Sequence, residues 1–449
     1  MHIINMALFV MLLLASGCQK VSIAPELSRL QNSATELTGE EIAYYQSLSD
    51  PIDEQIGQQI DAGISRQQAI GIALKNNPEL QVLFETIGIA KSDLTQAGLY
   101  TNPDIHGFFW PPLKGSRVEL ETGAFFNVAE LWQVPLRKNV QKDVLESVTL
   151  VILGSILDIM EKTRMAYDKV LTSQRQLEIA QDIVDQTVDL KNSIEYRQEF
   201  GLSNDLDTYF AQVAVGNAQR TVIRLHNKLS QAYIHIKKIL GLRPTADPIR
   251  LTEQLDDQVE LIMKGLPMLE QLQEWALANR PEILKAGIKI KQYEDAVSYE
   301  RSRRLQTLNA GVSFKQDFSG DRGVGPSLEL SLPIFDANSA QISRAKYLLV
   351  HAKKDLVAMR ISIQKEVESY YTQLINRHKE IMLYKETLLP SATKAFDFTE
   401  AYEQQMQVTM VTLLQTKTML YQTKQQFSKT YYEALTAFSH LERAVGKRI

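Results

Sequence analysis

An internal repeat constrains the fold of this 449-residue chain more than any other feature of its sequence. Residues 73–80 read ALKNNPEL and residues 276–283 read ALANRPEI, which is an offset of 276 − 73 = 203. Two later segments recur at similar offsets: residues 134–136 at 332–334, and residues 201–212 at 406–417. Three matches in one order predict that the chain consists of two halves with the same architecture.

The repeated segments predict the residue limits and the secondary structure of the two halves. The first repeat covers residues 65–243 and the second covers residues 269–449, with a proline-containing linker over 244–268. Each repeat is predicted to contain a helix, a β-hairpin and a long helical hairpin, in that order. These elements fall at matching places: β-hairpins at 104–128 and 305–333, and helical tips near 201 and near 406.

The helical hairpins are predicted to be long. No proline occurs between Leu136 and Arg243, and a single helix over 136–200 would extend for about 100 Å. In the second half an apolar seam advances in steps of three and four residues, as in a coiled coil. The seam consists of Ile342, Ala345, Leu349, Ala352, Leu356, Met359, Ile363 and Val367. Few glycines (21) and prolines (14) interrupt the chain, so its fold class is predicted to be mainly α with a small β part.

Apolar and polar residues alternate along the predicted strands. In the first hairpin, Val118 and Leu120 alternate with Glu119 and Glu121, and the second strand of the other hairpin is predicted at 327–333. Such alternation is typical of membrane-spanning strands, and it also fits soluble hairpins that pack on helices. Four strands cannot close a barrel, and lipid tolerates no open sheet edge. A membrane location therefore predicts an oligomer, in which three copies would supply a twelve-stranded transmembrane β-barrel.

The N-terminus is predicted to be an export signal. Residues 7–15 form an apolar run of roughly nine residues, too short to span a bilayer, and small residues lead from it to Cys18. This resembles the bacterial lipoprotein signal, which implies a signal peptide at 1–17 and a lipid-anchored segment at 18–64. The covalent lipid at Cys18 would be the only cofactor, and Gln19 indicates sorting to the outer membrane. An ordinary signal peptide with an incidental cysteine is the alternative.

Taken together, these motifs resemble the TolC family of outer-membrane efflux proteins, in its lipoprotein form, over residues 65–445. The resemblance rests on the duplicated ALxNxPE segment, and on three further segments: 201–207 (GLSNDLD), 332–336 (LPIFD) and 388–390 (LLP). It implies a homotrimer in outer-membrane lipid, with a helical tunnel that extends into the periplasm. Residues 96–104 (QAGLYTNPD) are similar to the branch that serves heavy-metal and cation efflux pumps.

The function that the resemblance implies is the exit duct of a tripartite efflux system. Such a duct conducts small molecules or metal ions passively from a periplasmic adaptor protein and an inner-membrane pump to the outside. Two alternatives remain open at this point. One is an exit pore for type I protein secretion, and the other is a lipid-anchored periplasmic coiled-coil scaffold without a pore.

The helical tips are the predicted adaptor-contact sites. Gly201 falls where a long helix must reverse, and either Ser203 or Asn204 is expected to cap the next helix. The resemblance implies that the tips meet the adaptor through Gly201, Leu202 and Ser203 in the first half and through Met406 and Gln407 in the second. A plain connecting turn is the alternative.

The resemblance also implies a constriction on the inner side of the tips. In the first half its residues are Asp205 and Asp207, and in the second half they are Thr412 and Gln415. A ring of three Asp207 side chains would attract cations, so it would act both as gate and as filter. Alternatively, Asp207 caps or pairs locally.

Composition and motifs exclude other classes of function. The formal net charge is 49 − 53 = −4, which offers no case for a nucleic-acid partner. The seven histidines are scattered, no His-Glu-x-x-His spacing occurs, and no glycine-rich phosphate loop is present. The chain is therefore not expected to be an enzyme or to hold a metal cofactor, and energy for transport must come from the pump.

Overall fold

The computed structural model describes residues 21–45, 56, 59–60, 62–115, 117–242, 249–253, 258–405 and 407–449. The predicted signal peptide and Cys18 lie outside these residues. The chain divides into two compact units, each built from three segments. Unit 1 comprises Met1–Leu30, Leu83–Ile152 and Pro281–Met359, and unit 2 comprises Gln31–Val82, Leu153–Arg280 and Arg360–Ile449.

Helices form most of the described chain. They are α1 (Ala24–Thr38), α2 (Arg66–Asn76), α3 (Pro78–Ala97), α4 (Glu130–Glu199), α5 (Asp205–Ile239), α6 (Gln258–Gly265), α7 (Leu269–Asn279), α8 (Pro281–Ser302), α9 (Ser339–Leu383), α10 (Leu389–Gln404) and α11 (Met410–Val445). The strands are β1 (Asp104–Trp110), β2 (Glu119–Asn127), β3 (Leu308–Gln316) and β4 (Arg322–Leu330). None of the helices in the described ranges combines the length and the apolar character that crossing a membrane requires.

The same order of elements occurs twice along the chain. The series α2, α3, β1, β2, α4, α5 is followed by α7, α8, β3, β4, then α9 with α10, and α11. A proline follows the break between helices in both series, and the preceding residue is extended: ψ is 121° at Asn77 and 126° at Arg280. Each repeat therefore begins with a short helix and a longer one, separated at Asn77–Pro78 and at Arg280–Pro281.

Unit 1 contains one antiparallel sheet in the order β1-β2-β3-β4. Its register brings apolar residues of one face together, because Ala124 lies opposite both Ile105 and Val312. The other face carries polar pairs, such as Lys315 and Glu119, whose Nζ and Oε1 atoms are 2.9 Å apart. The predicted alternation between an apolar face and a largely polar face is therefore confirmed.

Strand β4 begins five residues earlier than its predicted start at residue 327. The loop before it is short because the Asp317 carboxylate accepts hydrogen bonds from the amides of Ser319, Gly320 and Asp321, at 2.9 to 3.0 Å. The chain consequently reverses within Asp317–Asp321, and the glycine-rich residues that follow already form strand.

Helix α4 also begins earlier than predicted, at Glu130 instead of Leu136, and Pro135 lies inside it. A proline within a helix removes one amide donor, but here little more than one turn precedes it. The side chains of this first turn are tied down elsewhere in unit 1. Glu130 accepts a hydrogen bond from the amide of Thr101 at 2.7 Å, and Gln133 donates to the carbonyl of Leu305 at 2.9 Å.

The coiled-coil seam predicted along α9 is confirmed by burial. Ile342, Ala345, Ala352, Ile363 and Val367 are buried, and the remaining seam residues are half-buried. The helical path does not stop at the LLP segment. A π-helical turn, Tyr384–Leu388, joins α9 to α10, and Pro390 takes a place in the first turn of α10, where its missing amide costs little.

Candidate functional site

The first tip, in unit 2, is a tight reversal between α4 and α5. Gly201 has φ of +69°, the left-handed conformation that glycine adopts most readily. Two hydrogen bonds close the end of α4: the amide of Leu202 donates to the carbonyl of Arg197, and the amide of Gly201 donates to the carbonyl of Gln198, both at 2.9 Å. This is a Schellman motif, in which the helix ends at a left-handed glycine. The structure confirms the chain reversal that was predicted at Gly201.

Asn204 caps the helix that follows. Its side-chain oxygen accepts a hydrogen bond from the amide of Asp207 at 3.0 Å. The sequence left the choice between Ser203 and Asn204 open, and the structure selects Asn204. The Ser203 hydroxyl instead donates to the carboxylate of Asp207 at 3.5 Å.

The two acidic residues of this tip contact side chains of their own hairpin. The Asp205 carboxylate accepts a hydrogen bond from the Gln198 amide at 2.6 Å, and the Thr208 hydroxyl donates to the oxygen of the same amide at 2.8 Å. Asp205 is exposed and Asp207 is half-buried. Local pairing was the alternative given for Asp207, but its one contact is long, whereas Asp205 is the carboxylate that pairs closely within the hairpin.

The second tip, between α10 and α11, repeats the backbone pattern of the first. The amide of Gln407 donates to the carbonyl of Tyr402 at 2.9 Å, five residues back, as Leu202 does to Arg197. The Thr409 hydroxyl caps α11 by accepting from the amide of Thr412 at 3.3 Å. Met406 lies outside the described residues.

At an offset of 205 residues, the second tip has apolar side chains at three positions that are polar in the first: Val408, Met410 and Leu413 correspond to Ser203, Asp205 and Thr208. Met410 corresponds to Asp205, because 410 − 205 = 205, and it is buried. Gln415 corresponds to Phe210 (415 − 205 = 210) and is exposed, and its place in a constriction stays a prediction. Thr412 does correspond to Asp207.

An ion pair joins the two tips within unit 2. The guanidinium of Arg197 donates two hydrogen bonds to the Glu403 carboxylate, Nη1 to Oε1 at 2.7 Å and Nη2 to Oε2 at 3.0 Å. Glu403 is only 7% exposed, and its hydrogen bonds raise the pKa of Arg197 above its ordinary value. Such paired bonds are strong and directional, so they fix the ends of α4 and α10 side by side.

An apolar cluster packs next to this ion pair. Its buried members are Ile194, Ala211, Met410 and Leu413, and half-buried Leu190, Phe396 and Leu414 pack against them. Residues of α4, α5, α10 and α11 all take part. The two hairpins are therefore held together by burial of apolar surface as well as by charge.

Large apolar side chains are exposed around the first tip. They are Tyr196, Phe200, Leu202, Leu206, Tyr209, Phe210 and Val213. Several exposed apolar side chains near one helical tip are typical of a surface on which another protein packs. The tip is thus suited to contact with a partner.

Arg197, Glu403 and Gln198 are site residues that the sequence did not indicate. Arg197 and Glu403 do not occupy corresponding positions, because 403 − 197 = 206, so comparing the repeats does not pair them. Opposite charges near the two predicted helix ends were the only available signal. Within the part of the chain that the structure describes, no group of three or more His, Cys, Asp or Glu side chains could hold a metal ion.

Comparison with known proteins gives consistent matches. A family model described as outer membrane efflux protein matches residues 153–242 and 272–447, more than half of the chain. The cobalt-zinc-cadmium resistance protein CzcC of Cupriavidus metallidurans is 20% identical over 392 residues, which is 86% of this chain and 90% of CzcC. The pyoverdine export outer membrane protein OpmQ of Pseudomonas putida is 23% identical over 313 residues, 67% of this chain and 63% of OpmQ.

A solved structure shows the same fold. The crystal structure of CusC, described in connection with transmembrane channel formation, superimposes with a TM-score of 0.72 at 17% identity. The match covers 90% of this chain and 99% of that one.

Proposed function

Because the chain belongs to the outer membrane efflux protein family and is an efflux channel of the outer membrane, we propose that three copies of it form one duct. The duct conducts small solutes passively, and it receives them from a periplasmic adaptor protein and an inner-membrane pump.

The observation that carries the proposal is the unclosed sheet of unit 1. In the described part of the chain β1 pairs only with β2, and β4 pairs only with β3, so both outer edges are unpaired. The apolar face carries Ile105, Val324 and Leu328, which are 83%, 73% and 71% exposed. Lipid would cover this face, but unpaired strand edges cannot remain in lipid. Joining the sheets of three copies closes them into twelve strands and removes every edge.

The test is the mass and conductance of the full chain extracted from outer membranes in detergent. We expect three copies per particle and ion conductance in planar bilayers. Leu328→Arg should abolish the assembled form, because a charge on the lipid face costs about 2–4 kcal/mol at mid-membrane. Ser327→Arg, on the opposite face, is the matched control. A monomer or dimer without conductance would contradict the duct and support the periplasmic scaffold.

The tips are the proposed contact with the adaptor, through Gly201, Leu202, Ser203, Met406 and Gln407. Support comes from the exposure of Leu202 at the outermost turn and from the apolar side chains around it. Cys18 is the only cysteine, so a cysteine placed at Leu202 gives a clean crosslinking site. Leu202→Cys should crosslink to the adaptor, whereas Gly216→Cys, farther along α5, should not. Equal crosslinking at both positions would contradict a contact confined to the tips.

The proposed constriction consists of Asp205, Asp207, Thr412 and Gln415. The Asp207 carboxylate has only a 3.5 Å contact with Ser203, so it is less committed to its own hairpin than Asp205 is. Three such carboxylates around one axis would attract cations and resist their release. Asp207→Ala should raise single-channel conductance and weaken cation block, and Asp185→Ala, an exposed change on α4, should alter neither. Unchanged conductance and block in Asp207→Ala would contradict the ring.

Divalent transition-metal ions are the proposed cargo. Support comes from the relative CzcC, which is named for cobalt, zinc and cadmium resistance and matches 86% of this chain. A strain that lacks the gene should lose tolerance to these ions, and a copy with Asp207→Asn should restore less of it than the wild type. OpmQ, named for pyoverdine export, makes an organic molecule the second candidate. Unchanged metal tolerance together with loss of a secreted protein would instead support type I secretion.

A covalent lipid at Cys18 is the last element of the proposal. It is supported by the apolar run at 7–15 and the small residues before the cysteine. Two or more acyl chains hold a protein stably at a bilayer, whereas one does not. Mass spectrometry of the N-terminal peptide should find an acylated Cys18. A peptide that begins elsewhere, or an unmodified cysteine, would favour the ordinary signal peptide.

A further inference from the structure

Unit 2 contains a cavity between helices α4, α5 and α11. Its volume is about 410 Å³, within the range of small-molecule sites in proteins. Apolar and aromatic side chains form most of the wall, among them Ile183, Phe210, Val213 and Leu414. The cavity lies along the hairpins, and it shares Phe210 and Val213 with the exposed apolar side chains near the first tip.

One charged side chain lines this apolar cavity, and it is Lys417. Lys417 is 6% exposed, and none of the described residues lies within ion-pair distance of its ammonium group or accepts a hydrogen bond from it. The corresponding residue of the first hairpin, Gln212 (417 − 205 = 212), is exposed. Burial of a lysine is thus particular to the second hairpin. A largely buried charge without a neighbouring counter-charge is unfavourable, so an anion that contacts Lys417 would be stabilised there.

The charged groups around Lys417 do not balance its positive charge. Burial lowers the pKa of Lys417 to about 8, and the more distant carboxylates of Glu400 on α10 and Asp189 on α4 oppose the shift only partly. Tyr421 on α11 also faces the cavity, and burial raises the pKa of its phenol, so it stays neutral. No titratable side chain of α5 is among the residues that line the cavity.

We propose that the cavity binds a small apolar anion, of the class of aromatic carboxylates. The carboxylate would accept hydrogen bonds from the Lys417 ammonium, and the ring would pack among Phe210, Val213 and Leu414. Asn217 lines the same cavity, and its side-chain amide would donate a further hydrogen bond to the carboxylate. A hydrogen bond from a charged donor is stronger than one between neutral groups, and apolar walls reduce the screening of its charge.

The test is ligand-observed fluorine NMR with 4-fluorobenzoate on the full chain in detergent. Wild-type protein should broaden the fluorine signal at pH 7. Lys417→Met keeps the length and apolar character of the side chain but removes the charge, and we expect about a tenfold or greater loss of affinity. Lys424→Met, an exposed change on the same helix, is the control and should bind as the wild type does. The uncharged probe 4-fluorobenzamide should bind wild type and Lys417→Met equally and weakly.

A pH series and a cavity-filling variant make the test independent of whether Lys417→Met assembles. The protonated fraction of Lys417 falls from about 0.9 at pH 7 to about 0.1 at pH 9, so wild-type affinity should fall about tenfold over that interval. Ala218→Leu should abolish binding although Lys417 is retained, because the added side chain occupies the cavity. Lys417→Met should show no pH dependence over the same interval.

Several outcomes would overturn the proposal. Equal affinity of wild type and Lys417→Met for 4-fluorobenzoate would show that the lysine does not hold the anion. No broadening with wild-type protein would show that the cavity is closed, for example by a carboxylate of a neighbouring copy. Binding is read without any measurement of conductance, so this result and the test of the duct are independent of each other.

Discussion

The two hairpin tips of unit 2 have nearly the same backbone and different means of support. Each ends a helix with an amide-to-carbonyl bond over five residues, and each begins the next helix with a capping side chain, Asn204 or Thr409. Around the first tip the side chains form a polar network within one hairpin. Around the second, Met410 and Leu413 are buried against the other hairpin.

This difference makes the support of the tips asymmetric. The first tip has Gln198, Asp205 and Thr208 bonded to one another, so it retains local contacts even if the second tip moves away. The second tip is held by burial against α4 and α5 and by the bonds from Arg197 to Glu403. We therefore expect substitutions in the second tip to loosen both hairpins, and corresponding substitutions in the first to loosen one.

The largest effect is expected from Leu413→Ala. Leu413 is 3% exposed, and removing a buried leucine side chain costs about 3 kcal/mol through lost burial and a residual cavity. The corresponding substitution, Thr208→Ala, should cost about 1 kcal/mol, because it removes one hydrogen bond near solvent. Hydrogen exchange of peptides from both hairpins measures these local opening energies. Similar exchange rates in the two variants would contradict the expected difference in support between the two tips.

The next largest effect is expected from Glu403→Ala. It leaves the Arg197 guanidinium without its carboxylate beside a buried cluster, at a cost of about 2 kcal/mol. The corresponding variant is Gln198→Ala (403 − 205 = 198), which should speed exchange only in the first hairpin. Glu403→Ala should speed exchange in both hairpins, and in planar bilayers it should raise conductance if the tips limit the channel. An effect confined to the second hairpin would mean that the ion pair does not join them.

The parts of this fold that follow from local rules were predictable from the sequence. The break at Asn77–Pro78 follows from the restriction that proline imposes on its neighbour. The alternation in β2 follows from the two-residue period of a strand, and the reversal at Gly201 follows from the freedom of glycine at positive φ. Each of these depends on a few consecutive residues.

The parts that depend on residues far apart in the chain were not predictable. Arg197 and Glu403 meet although they occupy different places in their hairpins, so neither motif nor repeat pairs them. Strand β4 begins at Arg322 because the Asp317 carboxylate closes the loop early, which a count of turn residues does not reveal. The burial of Lys417 likewise arises from how three helices pack, whereas its sequence surroundings suggest a solvated face.

A smaller effect is expected at Gly201. Alanine there must adopt φ of +69°, which costs about 1–2 kcal/mol for a residue with a side chain, although no neighbouring atom obstructs it. Gly216→Ala, in the middle of α5 with equally open surroundings, should instead stabilise the hairpin by about 0.5–1 kcal/mol. Hydrogen exchange in α5 should therefore change in opposite directions. A stabilising Gly201→Ala would show that the first tip does not depend on glycine, and the second tip already carries Met406 at this position.

The smallest effects are expected from the capping residues, which the two tips share. Asn204→Ala and Thr409→Ala each remove a side-chain acceptor from the first turn of a helix, and each should cost about 1 kcal/mol. Asn204→Asp and Thr409→Asp are the controls, because aspartate caps as well and should restore slow exchange in α5 and α11. Equal losses of stability in the two alanine variants would show that the tips differ in the contacts of their side chains and not in their backbone. A loss in only one of them would mean that the two caps do not stabilise their helices equally. The apolar cluster alone would then stabilise the first turn of the other helix.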